Sequence, residues 1–178
     1  MFWGNVFMDS LDNILDNSLV REEYKKTVLL SMFRKVCVRM NTNSPYRQKI
    51  RNLFRQTNDR KMTARILVEK EFNVCLSDSE SSMLEKWFSA NLRKKTKRNQ
   101  KYTCEAVKKE LMIKQNGICP SCGEPLGADL SKIHVDHIIP FVLVGDELED
   151  NYQDLCETCN ECKGARVDYL FGKLIKTN

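Results

Sequence analysis

The sequence predicts an α+β protein: a basic, all-helical region over residues 1–100 followed by a small, metal-stapled region over residues 101–178. Nearly all of the seven glycines and four prolines follow residue 116, so the first hundred residues are expected to form helices joined by short turns. Lys and Arg outnumber Asp and Glu by 20 to 11 in the first region, whereas the balance reverses to 9 against 13 in the second. Cys-x-x-Cys pairs occur only in the second region.

The overall composition, 42% hydrophobic and 30% charged over 178 residues, is typical of a soluble protein with one domain or two small ones. No apolar run approaches the ~18 residues that a membrane span needs. The opening "MFWGNVFM" is short and lacks a positively charged leader, so we expect a cytoplasmic, reducing location. In that setting, cysteines bind metal more readily than they form disulfides.

The excess of Lys and Arg in the helical region predicts a part of the protein that binds a polyanion. Residues 21–40 have apolar side chains at helical spacing, and residues 44–56 should follow as a second helix, with Ser44 as cap and Pro45 at the first position. Ile50, Leu53 and Phe54 share its apolar face. Beside that face, a row of guanidinium groups recurs every fourth residue and is predicted to bind nucleic acid: Arg47, Arg51 and Arg55.

Residues 63–88 predict two helices with a tight joint, the second starting with a Ser77–Glu80 capping box. Such a pair is compatible with a helix-turn-helix, but acidic residues at the second helix's start would repel DNA, which favours an ordinary bundle. The run at 91–101 is basic; it either follows a nucleic-acid backbone through Lys94, Lys95 and Lys97 or is a solvated linker. A helix should follow over 105–115.

Two Cys-x-x-Cys knuckles predict a structural zinc site with four thiolate ligands: Cys119, Cys122, Cys156 and Cys159. Packing as small apolar residues is the alternative, and it suits Cys37, Cys75 and Cys104 better than two matched pairs. Cys162 repeats the spacing and competes as a ligand. With four sulfurs bound, zinc has no open position for chemistry.

Both histidines of the chain lie between the knuckles, in "IHVDHIIP". This stretch predicts a strand that ends at Pro140. A Gly-Asp turn then leads through Asn151 into a helix that carries Cys156 and Cys159.

The stretches "CPSCG", "HVDHIIP" and "DNYQDLCETCNECKG" together resemble the HNH, or ββα-metal, endonuclease family in its zinc-stapled version, over about residues 105–167. The resemblance implies that His137 is the general base and that Asp136 and Asn160 hold the catalytic cation. It implies that Asn151 fixes the loop that orients His137. Because Asn is a weaker ligand than His, Mg²⁺ or Mn²⁺ is expected there rather than zinc.

The residues support this chemistry independently of the family. A neutral imidazole can take a proton from water near pH 7, and a cation can stabilise the phosphoryl and leaving oxygens. Lys163, one helical turn beyond Asn160, is predicted to face the phosphate. Side chains alternate along a strand, so Asp136 and His137 can serve one site only where the strand ends or is distorted. His134 shares the Asp136 face, and a DNA contact or a structural role both remain open for it.

The resulting prediction is a DNA-binding helical domain over 1–100 and an HNH nuclease domain over 101–178 that hydrolyses DNA phosphodiester bonds. A restriction or anti-phage role is favoured, with a homing or phage-encoded endonuclease as another possibility. A zinc-stapled module that binds nucleic acid without cutting it is the alternative from a different class. One such centre cuts one strand, so double-strand cleavage would require a homodimer or two events.

Overall fold

A computed structural model of the chain describes residues 18–95 and 97–166. These residues form seven α-helices and one two-stranded sheet: α1 Ser18–Thr42, α2 Ser44–Gln56, α3 Arg60–Phe72, α4 Asp78–Arg93, α5 Glu105–Lys114, β1 Ile133–His137, α6 Phe141–Val144, β2 Tyr152–Cys156 and α7 Glu157–Lys163. Short 3₁₀ turns cover Gln100–Thr103 and Leu130–Lys132. The predicted α+β class, with helices first and the sheet near the C-terminus, is confirmed. The prediction made on residues 1–8 lies outside the described residues.

Local capping signals explain where the first helices begin and end. The Asn43 side chain, rather than the predicted Ser44, caps α2 by accepting a hydrogen bond from the Tyr46 N–H at 2.9 Å. Helix α3 ends at Phe72 because Asn73 takes the left-handed conformation, with φ 52°. The predicted Ser77–Glu80 capping box opens α4, with both reciprocal hydrogen bonds present.

Helices α1 to α4 bury one large apolar core, as the bundle interpretation predicts. Phe33 of α1 lies at its centre, with its ring 5.0 Å from that of Phe88 and 5.7 Å from that of Trp87. Leu53 departs from the predicted apolar face of α2, since 40% of its surface stays exposed. It instead borders an open apolar groove together with Ile66 and Leu67 of α3.

A segment of the C-terminal region packs into this helical core. Ile139, Leu143 and Val144 are buried within it. The Asn91 side chain of α4 donates to the Leu143 carbonyl at 2.6 Å. Gly145, with φ +63°, passes so close to α4 that an added Cβ would lie 2.8 Å from the Cβ of Lys94. The division near residue 100 therefore stays a prediction, because the two regions share a core.

The sheet corrects one detail of the sequence analysis. Asn151 leads into β2, not directly into a helix, and β2 pairs antiparallel with β1 through the register Ile133–Cys156 to His137–Tyr152. Helix α7 starts only after Cys156, which is its N-cap. A second, much smaller core lies beside the sheet and contains Cys119, Leu126, Ile133 and Leu155. Among the described residues, no helix has the length and apolarity that crossing a membrane requires.

Candidate active site

Four cysteine sulfurs converge beside the small core. The Sγ atoms of Cys119, Cys122, Cys156 and Cys159 all lie within 4.8 Å of one another, and those of Cys122 and Cys156 are 4.0 Å apart. A tetrahedron of zinc–sulfur bonds about 2.3 Å long separates its sulfurs by about 3.8 Å. The donor set and its dimensions therefore fit zinc. The predicted competitor Cys162 is exposed and lies outside this cluster.

The fold prepares the buried member of this cluster for deprotonation. Burial by itself would raise the pKa of the Cys119 thiol. Backbone hydrogen bonds from Cys156, Cys122 and Ser121 outweigh that effect and lower the pKa to about 7. Since thiolates rather than thiols bind zinc, the loop geometry favours the ligating form.

A cleft of about 540 Å³ runs along the free edge of β1 and brings together three predicted site residues: His134, Asp136 and Asn160. Strand alternation places His134 and Asp136 on one face, as predicted. Arg98 and Lys108 also line the cleft and make it cationic near the predicted ligands. The cleft thus offers a carboxylate and an amide oxygen to a cation beside two positive side chains.

Lys163 contacts groups of the protein itself, whereas the sequence predicted that it would face the substrate phosphate. It is 1% exposed, and its ammonium lies 2.7 Å from Asp136 Oδ2 and donates to the His137 carbonyl at 2.7 Å. This burial also excludes a solvated position at the helix end for the ammonium. Lys163 instead ties α7 to the end of β1 and holds the Asp136 carboxylate in place.

His137, the last residue of β1, forms a buried pair with a carboxylate that the sequence analysis did not single out. Its Nε2 lies 2.8 Å from Asp146 Oδ1, and its side chain is 6% exposed. The same oxygen accepts from the Tyr152 hydroxyl at 2.8 Å, while Asp146 Oδ2 accepts from the Asn99 N–H at 2.7 Å. Asp146 is therefore bonded on both oxygens and orients the imidazole ring.

The hydrogen bond to Asp146 determines which nitrogen of the His137 ring has a lone pair that can accept a proton. Burial opposes ionisation of Asp146, but hydrogen bonds from Asn99, His137 and Tyr152 prevail and lower its pKa. An ionised carboxylate only accepts, so Nε2 carries the hydrogen and Nδ1 keeps a lone pair. Nδ1 has no hydrogen-bond partner among the described residues. Burial also lowers the pKa of His137, against the opposing effect of Asp146, so the ring is neutral at pH 7.

Asn151 fixes the backbone immediately after His137. Its side chain, 3% exposed, accepts from the Ile139 N–H at 2.7 Å and donates to the Ile139 carbonyl at 2.9 Å. Its own carbonyl accepts from the Ile138 N–H at 2.9 Å. These bonds hold the turn that follows β1.

The structure does not place every predicted residue at the cleft. The His137 ring is enclosed by Phe141 and Tyr152, with centroids 5.4 and 4.8 Å away, and is not among the residues that line the cleft. Burial lowers the pKa of the His137 ring, and the negative charge of Asp136 nevertheless partly opposes that effect. Phe141 contacts the ring and also lines the cleft, so it separates the two.

The three arginines of the predicted row have two different environments. Arg47 is half-buried, and its Nε donates to the Met40 carbonyl at 2.7 Å, which caps the end of α1. Arg51 and Arg55 are exposed and line a separate cavity. In the basic run, Lys94 packs against the C-terminal region and donates to the Val142 carbonyl, whereas Lys95 and Lys97 are exposed.

Comparison with known proteins is consistent with this geometry. Residues 119–166 match a family model described as HNH endonuclease. Neither the curated proteins nor the solved structures that were compared include a match to the chain. The matched segment begins at Cys119, ends three residues after Lys163 and includes Asp136, His137 and Asp146. Most of the residues that line the cleft also fall within it, whereas Arg98, Thr103 and Lys108 precede it. The resemblance of this segment to HNH endonucleases is therefore confirmed.

Proposed function

We propose that the protein is a metal-dependent endonuclease that hydrolyses phosphodiester bonds of double-stranded DNA. The observation that carries the proposal is the junction at the end of β1. There, Asp136 faces a cationic cleft with Asn160, and the next residue is a histidine with a carboxylate-bonded Nε2 and a free Nδ1. A module that only binds nucleic acid has no need for a buried carboxylate–imidazole pair.

The catalytic cation would be held by Asp136 and Asn160. The set supplies one carboxylate and one amide oxygen, which suits Mg²⁺ or Mn²⁺ completed by substrate phosphate. The Lys163 ammonium lies 2.7 Å from Asp136 Oδ2, so Oδ1 is the carboxylate oxygen left for the cation. When bound, the cation supplies positive charge to a phosphoryl oxygen and to the departing 3′-oxygen. The four-cysteine cluster would fill all four coordination positions of zinc, so we assign that site a structural role.

The chain's own residues supply proton transfer. His137 Nδ1 accepts a proton from the attacking water as the oxygen–phosphorus bond forms and the phosphorus–3′-oxygen bond breaks. Asp146 holds the ring in the required tautomer and stabilises the imidazolium that results. Lys163 fixes Asp136 relative to the His137 carbonyl, and Asn151 fixes the following turn. Because the ring is enclosed, the proposal requires that DNA binding opens a path for one water to Nδ1.

Its biological setting is part of the same proposal. A restriction or anti-phage endonuclease is favoured because a basic helical region accompanies the catalytic segment and offers DNA a second surface. A cytoplasmic location is supported by the zinc-type cluster, which requires reduced cysteines. One site hydrolyses one strand, so we propose that two copies act together where both strands are cut.

The test is cleavage of supercoiled plasmid with Mg²⁺, with Mn²⁺ or without added cation. We expect nicked or linear product only with the cation. His137→Ala should lose about 10²–10⁴-fold in rate, as for removal of a general base, while zinc content and DNA binding persist. His134→Ala is the matched control, with a loss below about tenfold. Cleavage by His137→Ala at the wild-type rate would exclude His137 as base, and DNA binding without any cation-dependent cleavage would favour the non-catalytic module.

A further inference from the structure

The helical region contains a second concave surface, which we name the arginine cavity. It has a volume of about 350 Å³ and lies between the C-terminal turns of α2 and α4 and the start of α3. Its apolar floor is Phe54 with Leu92, and Ser89 adds a hydroxyl. Four guanidinium-bearing residues complete its lining: Arg51, Arg55, Arg60 and Arg93.

These arginines differ from other cations on the same helices in having few anionic partners. Arg39 pairs with Glu71, and Arg65 pairs with Glu69. By contrast, within residues 18–95 and 97–166 no ion pair joins a carboxylate to the three cavity residues that precede α4: Arg51, Arg55 and Arg60. The fourth, Arg93, is 57% exposed and meets Glu147 only at 3.5 Å, so that pair contributes little. The four arginines that line the cavity therefore have one carboxylate partner among the described residues, Glu147, and it lies 3.5 Å from Arg93.

Such a concentration of cations is stabilised by an external anion of matching shape. Guanidinium groups bind phosphate through paired N–H donors, and a row of them suits a chain of phosphates better than a single small ion. Arg51 and Arg55 lie one helical turn apart on the same face of α2, while Arg60 and Arg93 reach the cavity from two other helices. The charges are thus spread along an open surface.

We propose that the arginine cavity, which shares no lining residue with the cleft, binds the phosphate backbone of the DNA substrate. This inference rests on the proposed function and assigns the holding of the duplex to these four arginines. Arg47 is excluded because its guanidinium is used by the Met40 carbonyl. The cavity also borders the catalytic loop, since Arg93 contacts Glu147, the residue after Asp146. A phosphate at Arg93 would replace that long carboxylate contact.

The test measures binding of the zinc-loaded protein to a fluorescent 30-base-pair duplex, without Mg²⁺ or Mn²⁺, at several salt concentrations. Each phosphate contact adds about 0.9 to the slope of log affinity against log salt. We expect a variant with all four cavity arginines changed to Gln to lose roughly 2–4 from that slope and at least tenfold in affinity near 0.1 M salt. The four changes are Arg51→Gln, Arg55→Gln, Arg60→Gln and Arg93→Gln.

The matched control removes four exposed cations elsewhere on the helices, which lowers the formal net charge of +5 equally. Its changes are Arg34→Gln, Lys35→Gln, Lys49→Gln and Lys70→Gln. We expect its affinity to change by less than about threefold. Equal weakening of both variants, or no change in the cavity variant, would overturn the inference. Circular dichroism checks folding; if the fourfold variant unfolds, Arg51→Gln/Arg55→Gln must still lower the slope by about 1.8.

The inference and the proposed function fail in different ways. Cation-dependent cleavage by the wild type with an unchanged salt slope in the cavity variant would overturn the arginine cavity alone. A lowered slope in that variant, together with no cleavage under any cation condition, would leave the cavity supported and remove the catalytic proposal. Absence of any DNA binding by the wild type would overturn the cavity and the choice of substrate together.

Discussion

The helical region and the C-terminal region differ in what stabilises each of them. Among the described residues, the larger core contains eighteen buried hydrophobic residues. Fifteen of them belong to the helical region, and Ile139, Leu143 and Val144 belong to the C-terminal region. The core beside the sheet contains four, one of which is a cysteine of the four-sulfur cluster. Because stabilisation grows with the apolar surface buried, at about 25 cal/mol per Å², the small core contributes much less. We therefore expect the elements around it to depend on zinc for stability that the helices obtain from apolar burial.

Buried polar groups show the reverse distribution. Among the described residues of the helical region they are three hydroxyl residues, each of which bonds to the turn before it: Thr27 to the Glu23 carbonyl, Ser81 to the Ser77 carbonyl and Ser89 to the Glu85 carboxylate. In the C-terminal region they are His137, Asn151, Gln153, Asp154 and Lys163. Burying such groups is costly unless partners meet them, so their concentration marks where structure serves chemistry rather than stability.

The largest expected effect comes from removing the metal. Cys156→Ser should abolish zinc binding, unfold the sheet with α7 and reduce cleavage more than 100-fold, while α1 to α4 keep their helical signal, because structural zinc contributes about 10–16 kcal/mol. Elemental analysis, circular dichroism at 222 nm and plasmid cleavage measure these outcomes. Cys75→Ser, at an exposed cysteine outside the cluster, is the control. Full zinc content in Cys156→Ser would contradict the assignment.

The buried ion pair gives the next largest effect. Lys163→Met leaves the Asp136 carboxylate without its ammonium and should lower the free energy of unfolding by about 3–5 kcal/mol, as for a broken buried pair. Urea denaturation of the zinc-loaded protein measures it. Lys114→Met, which breaks an exposed pair with Glu110 one helical turn away, should leave the free energy of unfolding nearly unchanged, because solvent screens that pair. Similar losses in both variants would remove the distinction between the regions.

A change at Asp146 sharpens the comparison without unfolding either region. Asp146→Asn replaces the acceptor at His137 Nε2 by an amide that can also donate, so the ring is no longer restricted to one tautomer. We expect cleavage to fall by about 10–100-fold. The chain has two histidines, so ¹⁵N spectra of histidine-labelled protein contain two ring systems, and His134→Gln assigns them. Asp150→Asn is the exposed control; an unchanged His137 tautomer in Asp146→Asn would refute the positioning role.

The smallest expected effect is a displacement along the pH axis. Burial lowers the pKa of His137 below its usual 6.5; Asp146 and Asp136 raise it and Arg98 lowers it, without reversing the net direction. The base must be neutral to act, so the rate of single-turnover cleavage should fall at acid pH, with the midpoint of this limb below pH 6.5. Asp146→Asn should move this limb to lower pH, because a carboxylate that favours the charged ring is lost. A limb above pH 6.5 would contradict the burial of the base.

The sequence predicted what local signals determine. Ser77 and Glu80 sit three residues apart and form their capping box, and the cysteine knuckles and the Asp136–His137 pair carry fixed spacings. Asp146 was missed because its partner lies nine residues away across a loop, and an acidic residue in a turn gives no distinguishing signal. The burial of Lys163 and the cap made by Arg47 likewise depend on tertiary contacts with backbone carbonyls.

Because Ile139, Leu143 and Val144 are buried among the helices, the C-terminal region is not expected to fold normally when it is separated from them. A fragment cut at residue 100 would expose these three side chains to water and free the backbone that leads to Asp146. We therefore expect the segment that matches the HNH family to lose part of its packing when it is transferred alone to another protein. A transfer that preserves this packing should include α4, so the two regions are expected to behave as a single folding unit.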